Sequence, residues 1–457
     1  MCNLVASNII DIEKVKSNNT YGQRRGPDKE NIIIHNNILF LHNLLSITGD
    51  NITQPYVSAD NSVVIIFNGE IYNYQELFEN KSEIECIYSL YKKDISSLKN
   101  LDGEFAIVIA DFNLSKLFFV HDIFGIKPLY LGTKYNNFCV SSYPSVSKGL
   151  GLDSIYKIPP NCCMEFDLNT FERKILFELY TWDLTQYKDT FDDFNIALEE
   201  SIIKRTNTDK EILVNMSSGY DTGTICCILN KLGIKYNTMT IKGQENMNVI
   251  KKRIEINKPN ISNFSELLIL NKNENPSLYS NLITRCENFE YSVFNNKTGY
   301  KDIKLNVHDD LASLGLIKIY FNANVKDKIK IVLSGSGADE IMSDYCINGK
   351  SISLQSGFNG LFPDNLINIF PKNVEDYDCT WKNFYHGVQE LYISKEESLT
   401  GGFGLEGRFP FLDRNLVQEF LWLKPELKNL KYKAPLSNYM NKSNYPFKEE
   451  KLGFNPN

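Results

Sequence analysis

The chain has 457 residues, which favours two or three domains over one. Hydrophobic residues make up 42% of it, enough to form buried cores and too many for a disordered chain. The net charge of −7 leaves no basic footprint for nucleic acid or anionic lipid. Neither a signal peptide nor a membrane-length apolar stretch is visible, so the sequence predicts a cytoplasmic protein.

Cysteine and histidine usage restricts the chemistry further. The ten cysteines show no CxxC spacing, and two pairs, Cys162-Cys163 and Cys226-Cys227, are adjacent in the sequence. This pattern predicts reduced thiols and no disulfide scaffold. The five histidines form neither HExxH nor HxH, so a catalytic metal held by histidine is not expected.

Residues 1–180 consist mostly of short apolar runs and turns. A continuous run from Val63 to Phe67 predicts a buried strand that ends at the turn signal Asn68-Gly69. Helical spacing over residues 82–92 places four apolar side chains on one face. Many strands with few helices predict an α+β domain of stacked antiparallel sheets. The further predicted strand pairs are 105–110 with 116–120, and 129–131 with 138–140.

After about residue 190, strands and helices alternate, which predicts an α/β domain with a parallel sheet. The polar stretch between residues 181 and 190 is the predicted boundary, giving domains 1–185 and 190–457. Residues 380–457 look helical and polar. The predicted strands are 211–216, 236–241 and 328–333, and a helix is predicted over 224–232.

Cys2 is a candidate nucleophile. Removal of Met1 would leave Cys2 as the first residue, and its α-amino group, with a pKa of about 7.7–8.0, could take the proton of its own thiol. Many proteins begin Met-Cys by chance, so this signal alone is weak. Asn68 and Gly69 strengthen it, because an amide side chain and a glycine N–H after a buried strand are suitable donors for a tetrahedral oxyanion.

Five features of the first 145 residues occur in one order: Cys2, RGPD at 25–28, NGEIYN at 68–73, LDGEFA at 101–106 and DIFGIKPLY at 122–130. Together they resemble the class II glutamine amidotransferase domain of asparagine synthetases, which has an N-terminal-nucleophile fold. The resemblance implies that Cys2 attacks the side-chain amide of glutamine while Asn68 and Gly69 hold the oxyanion. The implied glutamine-binding residues are Ser46, Ile47, Asn68, Gly69, Glu70 and Glu83, the last where the family usually has Asp.

One departure concerns the carboxylate of the glutamine. The family usually reads H-x-R-L-S-I where this chain has residues 42–47 as HNLLSI, so Leu44 replaces the arginine expected to pair with that carboxylate. Arg24 is one substitute and would replace the missing charge in part. Alternatively, the pocket accepts an amide donor whose α-carboxylate is absent or masked.

A glycine-bearing loop at residues 217–223 follows a predicted strand. Such a loop can present N–H groups to phosphates, helped by the dipole of the next helix. It resembles the family's pyrophosphate loop, S-G-G-x-D-S-S, and retains Asp221, which could hold magnesium. Three positions differ from that pattern, namely Ser218, Thr222 and Gly223.

Three further segments extend the resemblance over nearly the whole chain. Residues 334–340, SGSGADE, resemble S-G-[DE]-G-x-D-E, with Ser336 where the family usually has an acid. Residues 406–413, EGRFPFLD, are close to E-x-R-x-P-F-L-D. Lys451 precedes Gly453-Phe454, as in the family, and is placed to neutralise a leaving pyrophosphate. The acids considered as replacements at Ser336 are Glu340, Asp344 and Glu406.

The resemblance implies that a substrate carboxylate attacks ATP, giving an acyl-adenylate and pyrophosphate, and that ammonia then attacks the acyl group. ATP and Mg²⁺ are the implied cofactors, and Lys451 and Ser336 join Cys2, Asn68 and Gly69 as catalytic positions. Mg²⁺ would be held by Asp221 and Asp339. The implied ATP-binding residues are Met216, Ser217, Ser218, Gly219, Asp221, Thr222, Ile241, Ser334 and Gly335.

The leading hypothesis is therefore a glutamine-hydrolysing amide synthetase, with glutamine and a small carboxylic acid as partners and a homodimer left open. Aspartate is the default acceptor, and Ser336 keeps another acid, such as a uronic or natural-product acid, in consideration. A β-lactam-synthetase-like ligase that closes an internal amide is a second hypothesis, although it would not need Cys2. A catalytically impaired regulatory or binding homologue is the third, with Leu44, Ser218 and Ser336 as its signs.

Overall fold

The computed structural model describes residues 2–47, 53–79, 81–243, 245–295, 299–325, 328–342, 346–347, 350–351, 362–368, 384 and 388–448. The chain divides into two compact units. The first comprises residues 1–181 with 401–404, and the second comprises residues 182–400 with 405–457.

Two antiparallel six-stranded sheets form the first unit. Its strands are β1 Asn3–Ser7, β2 Lys29–His35, β3 Ile38–Leu44, β4 Tyr56–Val57, β5 Val63–Ile71, β6 Gly103–Asp111, β7 Lys116–His121, β8 Tyr130–Lys134, β9 Asn137–Ser141, β10 Ser154–Lys157, β11 Cys162–Asp167 and β12 Arg173–Glu178. Its helices are α1 Ile12–Asn18, α2 Thr20–Arg25, α3 Tyr74–Leu77, α4 Glu83–Lys93 and α5 Pro144–Gly149, with a 3₁₀ helix at Ile95–Asn100. The strand orders are β10-β8-β9-β1-β3-β2 and β12-β11-β7-β6-β5-β4.

The first unit has four layers: α4, the second sheet, the first sheet, and α1 with α5. Alternate side chains of each strand face opposite sides of its sheet. Leu4 and Phe40 of the first sheet and Val64 and Ile66 of the second share one core between the sheets. The intervening residues of β5, such as Ile65, face the apolar side of α4. Residues of α1 and α5 cover the outer face of the first sheet. The predicted α+β domain of stacked antiparallel sheets is thus confirmed.

The prediction that the strand over 63–67 ends in a turn at Asn68-Gly69 is wrong. β5 continues to Ile71, and Gly69 pairs with Phe105 of β6. Gly69 has a φ of +135°, and a Cβ on it would lie 1.9 Å from the carbonyl oxygen of Glu104. Here glycine admits the close approach of the neighbouring strand and does not form a hairpin turn.

A parallel five-stranded sheet, in the order β15-β14-β13-β18-β21, forms the centre of the second unit and confirms the predicted α/β class. The strands are β13 Glu211–Asn215, β14 Tyr236–Ile241, β15 Ile261–Leu267, β16 Phe289–Asn295, β17 Gly299–Leu305, β18 Ile329–Leu333, β19 Cys346–Ile347, β20 Lys350–Ser351 and β21 Glu406–Arg408. The helices are α6 Asp192–Thr206, α7 Asp221–Lys231, α8 Met247–Asn257, α9 Pro276–Ile283, α10 Leu311–Asn324, α11 Ala338–Met342, α12 Val388–Gly402, α13 Arg414–Trp422, α14 Pro425–Lys428 and α15 Ala434–Lys442, with 3₁₀ helices at Val307–Asp309 and Pro410–Leu412.

The interpretation of residues 380–457 as helical and polar is only half right. The described part of this segment contains α12 to α15, but it also contains β21, which lies beside β18 in the sheet and is fully buried. The two charged residues of β21 form an ion pair inside the protein, in which Arg408 Nε donates to Glu406 Oε1 at 2.6 Å. Arg408 also donates to the carbonyl of Arg205 at 2.9 Å. Polar composition does not reveal such internal pairing.

None of the helices within the described ranges is long and apolar enough to cross a membrane. The adjacent cysteines Cys162-Cys163 and Cys226-Cys227 are buried free thiols. Burial raises the pKa of both Cys226 and Cys227 to about 11.

A buried carboxylate, Asp413, ties the start of α13 to the end of α6. It accepts hydrogen bonds from Arg205 at 2.9 Å and from Lys204 at 2.6 Å. It also caps α13 through the backbone N–H of Asn415 at 3.0 Å. Burial disfavours its charge, but Arg205 and Lys204 outweigh burial and lower the pKa of Asp413 to about 2.

We predict that Asp413→Asn lowers the free energy of unfolding at pH 7 by about 3–5 kcal/mol, because Arg205 loses its buried counter-charge. The pKa of Asp413 is lower in the folded state than the roughly 3.9 of an unfolded chain. Its contribution is therefore complete above that value and is lost as the pH falls towards 2. Denaturant titrations of wild type and variant between pH 3 and pH 8 measure the difference.

Asp209→Asn is the matched control, since Asp209 forms an exposed pair with Lys210. It should change the stability little at any pH. A difference between wild type and Asp413→Asn that stays constant from pH 7 down to pH 3 would contradict the assignment.

Candidate active sites

Cys2 is held at both ends of its backbone. Its N–H donates to Asn68 Oδ1 at 3.0 Å, and its carbonyl oxygen accepts from Arg25 Nε at 2.8 Å. All three residues are buried. The structure therefore brings together the predicted nucleophile, the first residue of the RGPD segment and the first residue of the NGEIYN segment.

One of the two polar groups of the Asn68 side-chain amide does not take part in this contact. Its Oδ1 is used by Cys2, and its Nδ2 is buried without a hydrogen-bond acceptor among the described residues. Leaving a buried donor unpaired costs roughly 1–3 kcal/mol. Beside the predicted nucleophile, such a donor is suited to the negative charge that would develop on a substrate oxygen.

The residues predicted to bind glutamine lie on β5 or on segments bonded to β5 or to the RGPD segment. Glu70 follows Asn68 and Gly69 in β5 and is buried. Glu83 begins α4, and its Oε1 accepts from the backbone N–H of Ile71 at 2.7 Å. Ser46 donates its backbone N–H to Asp28 Oδ2 of the RGPD segment at 2.8 Å, and the next residue, Ile47, is buried.

Leu44 is the last residue of β3. By strand alternation it shares the face of Phe40 and His42, which points towards the second sheet. His42 does not replace the missing arginine charge, because burial lowers its pKa to about 3 and the ring is neutral. Arg24 lies on α2, with its guanidinium carbon 5.8 Å from the centre of the Tyr21 ring.

In the second unit, the first glycine-bearing loop joins β13 to α7. Met216 donates to the carbonyl of Met239 in β14 at 2.9 Å, so the loop starts on the sheet. Ser217 bonds to the hydroxyl of Thr222 through its N–H at 3.1 Å and through its own hydroxyl at 2.8 Å. Thr222 thus supplies a hydroxyl where the family pattern has serine. Ile241, a predicted nucleotide contact, ends β14 and is buried.

The second loop follows β18. Ser334 donates its N–H to the carbonyl of Arg408 at 2.9 Å, and its Oγ accepts from the N–H of Ser336 at 3.1 Å. A Cβ on Gly335 would lie 2.9 Å from the Cβ of Asp221 in the first loop. The loops therefore approach each other so closely that Gly335 has no room for a side chain, as expected where parallel strands end side by side.

Lys433 lies between the two predicted metal ligands. Its ammonium group bonds to Asp221 and, at 2.8 Å, to Asp339. Tyr432 donates its hydroxyl to the same Asp339 carboxylate. Burial opposes the charge on Lys433, but the two carboxylates outweigh burial and raise its pKa well above the ordinary value.

Oxygen donors such as Asp221 and Asp339 suit Mg²⁺, and both carboxylates bond to the same ammonium group of Lys433. They are two carboxylates and not a larger cluster, since no group of three or more His, Cys, Asp or Glu placed to hold a metal occurs within the described ranges. The pair fits a magnesium ion that takes most of its other ligands from water and phosphates. In this structure Lys433 supplies the positive charge between them.

The acids considered as replacements for the one missing at position 336 have different surroundings in the structure. Glu406 is paired with Arg408. Glu340 is buried and accepts from the N–H of Gly337 at 2.8 Å. Burial and the neighbouring Asp339 charge raise the pKa of Glu340 to about 8. Asp344 lies outside the described residues, as does Lys451.

Several residues at these loops were not predicted from the sequence. Lys433, Arg253 and Glu245 all contact the first loop or its aspartate from distant parts of the chain. No local motif marks them. The available signal was indirect: a loop that brings two aspartates together needs a buried cation to balance them.

Residues 1–153 match the family described as glutamine amidotransferase domain. That range contains Cys2, Asn68, Gly69, Glu70 and Glu83. Over most of its length the chain is similar to glutamine-hydrolysing asparagine synthetases. The probable enzyme of Schizosaccharomyces pombe is 26% identical over 94% of this chain and 77% of that protein. The enzyme of Sandersonia aurantiaca is 25% identical over 90% of this chain and 74% of that protein.

Among solved structures, the glutamine phosphoribosylpyrophosphate amidotransferase of Bacillus subtilis matches 94% of this chain and 97% of that chain. The sequence identity is 11% and the TM-score is 0.34.

We predict that Gly69→Ala sharply reduces glutamine hydrolysis. The added methyl group would meet the Glu104 carbonyl, and alanine strongly disfavours a φ of +135°, so Asn68 would move away from Cys2. Losing one oxyanion donor costs on the order of 10²–10³ in rate. Initial rates of glutamate formation measure the loss.

Gly151→Ala is the matched control. Gly151 also has a positive φ, +88°, but nothing lies within 4 Å of the position that a Cβ would take there. Gly151→Ala would have the backbone strain of an alanine at positive φ, but its methyl group would not clash with a neighbouring strand. Equal hydrolysis rates for the two variants would remove Gly69 from the oxyanion site.

Proposed function

We propose that this chain is a glutamine-dependent, ATP-consuming carbon–nitrogen ligase that converts a carboxylate into an amide. Residues 1–185 would release ammonia from glutamine, and residues 190–457 would activate the acceptor. The observation that best supports this is the contact between Cys2 and Asn68, whose Nδ2 is buried without an acceptor among the described residues. It lies within the range that matches the glutamine amidotransferase family.

The first half-reaction uses Cys2 as its own base. After removal of Met1, the nitrogen that bonds to Asn68 Oδ1 is an α-amino group, which takes the thiol proton. The thiolate attacks the amide carbon of glutamine, and Asn68 Nδ2 with the N–H of Gly69 stabilises the oxyanion. The α-ammonium group returns that proton to the departing nitrogen, which leaves as ammonia, and water then hydrolyses the thioester to glutamate and the free thiol.

The second half-reaction takes place at the carboxyl ends of β13 and β18. The acceptor carboxylate attacks the α-phosphorus of ATP, pyrophosphate leaves, and ammonia displaces AMP from the acyl-adenylate. Asp221 and Asp339 would hold Mg²⁺, which neutralises phosphate charge. Lys433 keeps these two carboxylates together, and Lys451 is proposed to face the leaving pyrophosphate.

Aspartate is the default acceptor, and another small carboxylic acid is the alternative because Ser336 replaces an acid. Among the acids considered as replacements, Glu340 is proposed to assist proton transfer during the attack of ammonia, because Glu406 is already paired with Arg408.

The proposal predicts opposite effects of two substitutions. Cys2→Ala should abolish amide synthesis from glutamine and preserve synthesis from added ammonium, because only the nucleophile is lost. Lys451→Ala should preserve glutamine hydrolysis and reduce synthesis by about 10²–10³, the usual cost of one electrostatic contact in a transition state. Glutamate, AMP and pyrophosphate are measured against a panel of carboxylic acids, with products identified by mass.

Three results would contradict the proposal in different ways. Glutamine hydrolysis by Cys2→Ala would exclude Cys2 as the nucleophile. The absence of AMP formation with any acid, from glutamine or ammonium, would favour an impaired regulatory homologue. A product formed by ring closure without an added nitrogen donor would favour an intramolecular ligase.

We further predict that Leu44→Arg lowers the KM for glutamine about 10- to 100-fold, because hydrogen bonds to charged groups contribute roughly 1.5–3 kcal/mol. Leu44→Met is the uncharged control and should leave KM unchanged. Arg24→Ala should raise KM if Arg24 serves the carboxylate in the wild type. A tight wild-type KM that Arg24→Ala does not alter would show that the carboxylate binds elsewhere.

A further inference from the structure

The backbone of the first loop is oriented by contacts to its carbonyl groups. Arg253 donates to the carbonyl of Ser217 and, at 2.8 Å, to that of Gly219. The carbonyl of Ser218 between them accepts from the N–H of Lys448 at 2.9 Å. In a planar trans peptide the C=O and the following N–H point in opposite directions. The N–H groups after the carbonyls of Ser217 and Gly219 therefore point away from Arg253.

The first of these N–H groups already bonds to an anion. Ser218 donates both its N–H, at 2.6 Å, and its hydroxyl, at 2.5 Å, to Glu245 Oε2. The hydroxyl also accepts from the N–H of Asn246 at 3.1 Å. The Glu245 carboxylate thus accepts hydrogen bonds from donors of the kind that phosphate-binding loops present to phosphate oxygens.

Two residues that differ from the family's loop pattern, Ser218 and Gly223, each lie against a specific side chain in this structure. Ser218, at a position where the pattern has glycine, adds a hydroxyl that Glu245 binds. Gly223, where the pattern has serine, makes room for Arg253, because a Cβ there would lie 2.3 Å from the guanidinium. The altered residues are integrated with their surroundings, which argues against simple decay of the loop.

We propose that Glu245 is an internal competitor of the nucleotide, an anionic gate that must leave Ser218 before the phosphate chain of a nucleoside triphosphate can bind this loop. The proposal rests on the nucleotide site proposed above. Glu245 begins the turn into α8, and Asn246 caps that helix through the N–H groups of Asn248 and Val249. Rotation of the Glu245 side chain would open the loop without unwinding the helix.

Removing the charge should therefore strengthen ATP binding. In Glu245→Gln the side chain keeps its shape, but its bonds to Ser218 are no longer charge-assisted, and we expect about tenfold tighter binding. Ser218→Gly removes one of the two bonds and should also tighten binding. Glu255→Gln, an exposed position on the same helix, is the matched control and should bind ATP like the wild type.

The measurement is equilibrium binding of ATP to the full-length protein, with and without Mg²⁺, together with the thermal unfolding of each variant. Tighter binding by both Glu245→Gln and Ser218→Gly, at unchanged unfolding temperature, supports the gate. Equal or weaker binding by Glu245→Gln overturns it, and weaker binding only with Mg²⁺ would instead identify Glu245 as a metal ligand.

Failure of the two proposals can be told apart. If neither wild type nor either variant binds ATP, the nucleotide site itself is refuted and the gate with it. If the wild type binds ATP and the variants bind it no better, only the gate is refuted.

Discussion

Backbone amides at the ends of buried strands need acceptors, and in this protein glutamate carboxylates provide them at the end of β5, in the first loop after β13 and in the second loop after β18. Glu83, Glu245 and Glu340 each accept from a backbone N–H, at 2.7, 2.6 and 2.8 Å. An unpaired buried N–H would cost about as much as a lost hydrogen bond. These hydrogen bonds hold the backbone at three places where substrate is proposed to bind.

In the second unit, buried positive charge balances the two aspartates at the loops. Lys433 is the buried cation that holds Asp221 and Asp339 together, and Arg253 orients the first loop through its carbonyl groups. A nucleotide with magnesium would bring both signs of charge at once. The arrangement is accordingly suited to exchange internal ion pairs for contacts with the bound phosphate chain and its metal.

The departures from the family pattern fall into two kinds. Ser218 and Gly223 change the shape of a loop and are matched by Glu245 and Arg253. Leu44 and Ser336 instead place neutral residues where the family has charged ones, so they bear on which nitrogen donor and which acceptor are used. The first kind points to an altered but intact loop, and the second to altered substrate binding.

The sequence by itself determined the two fold classes, most strand positions and the motifs that carry Cys2, Asn68 and the two loops. These are local properties, since apolar period, turn residues and short motifs are read from neighbours in the chain. Only the tertiary structure showed that β5 continues through Gly69 and that β21 joins the parallel sheet. It also decided that Lys433 and Glu245 complete the loops, because partners so far apart in sequence leave no local pattern and are selected by burial and charge balance in the folded protein.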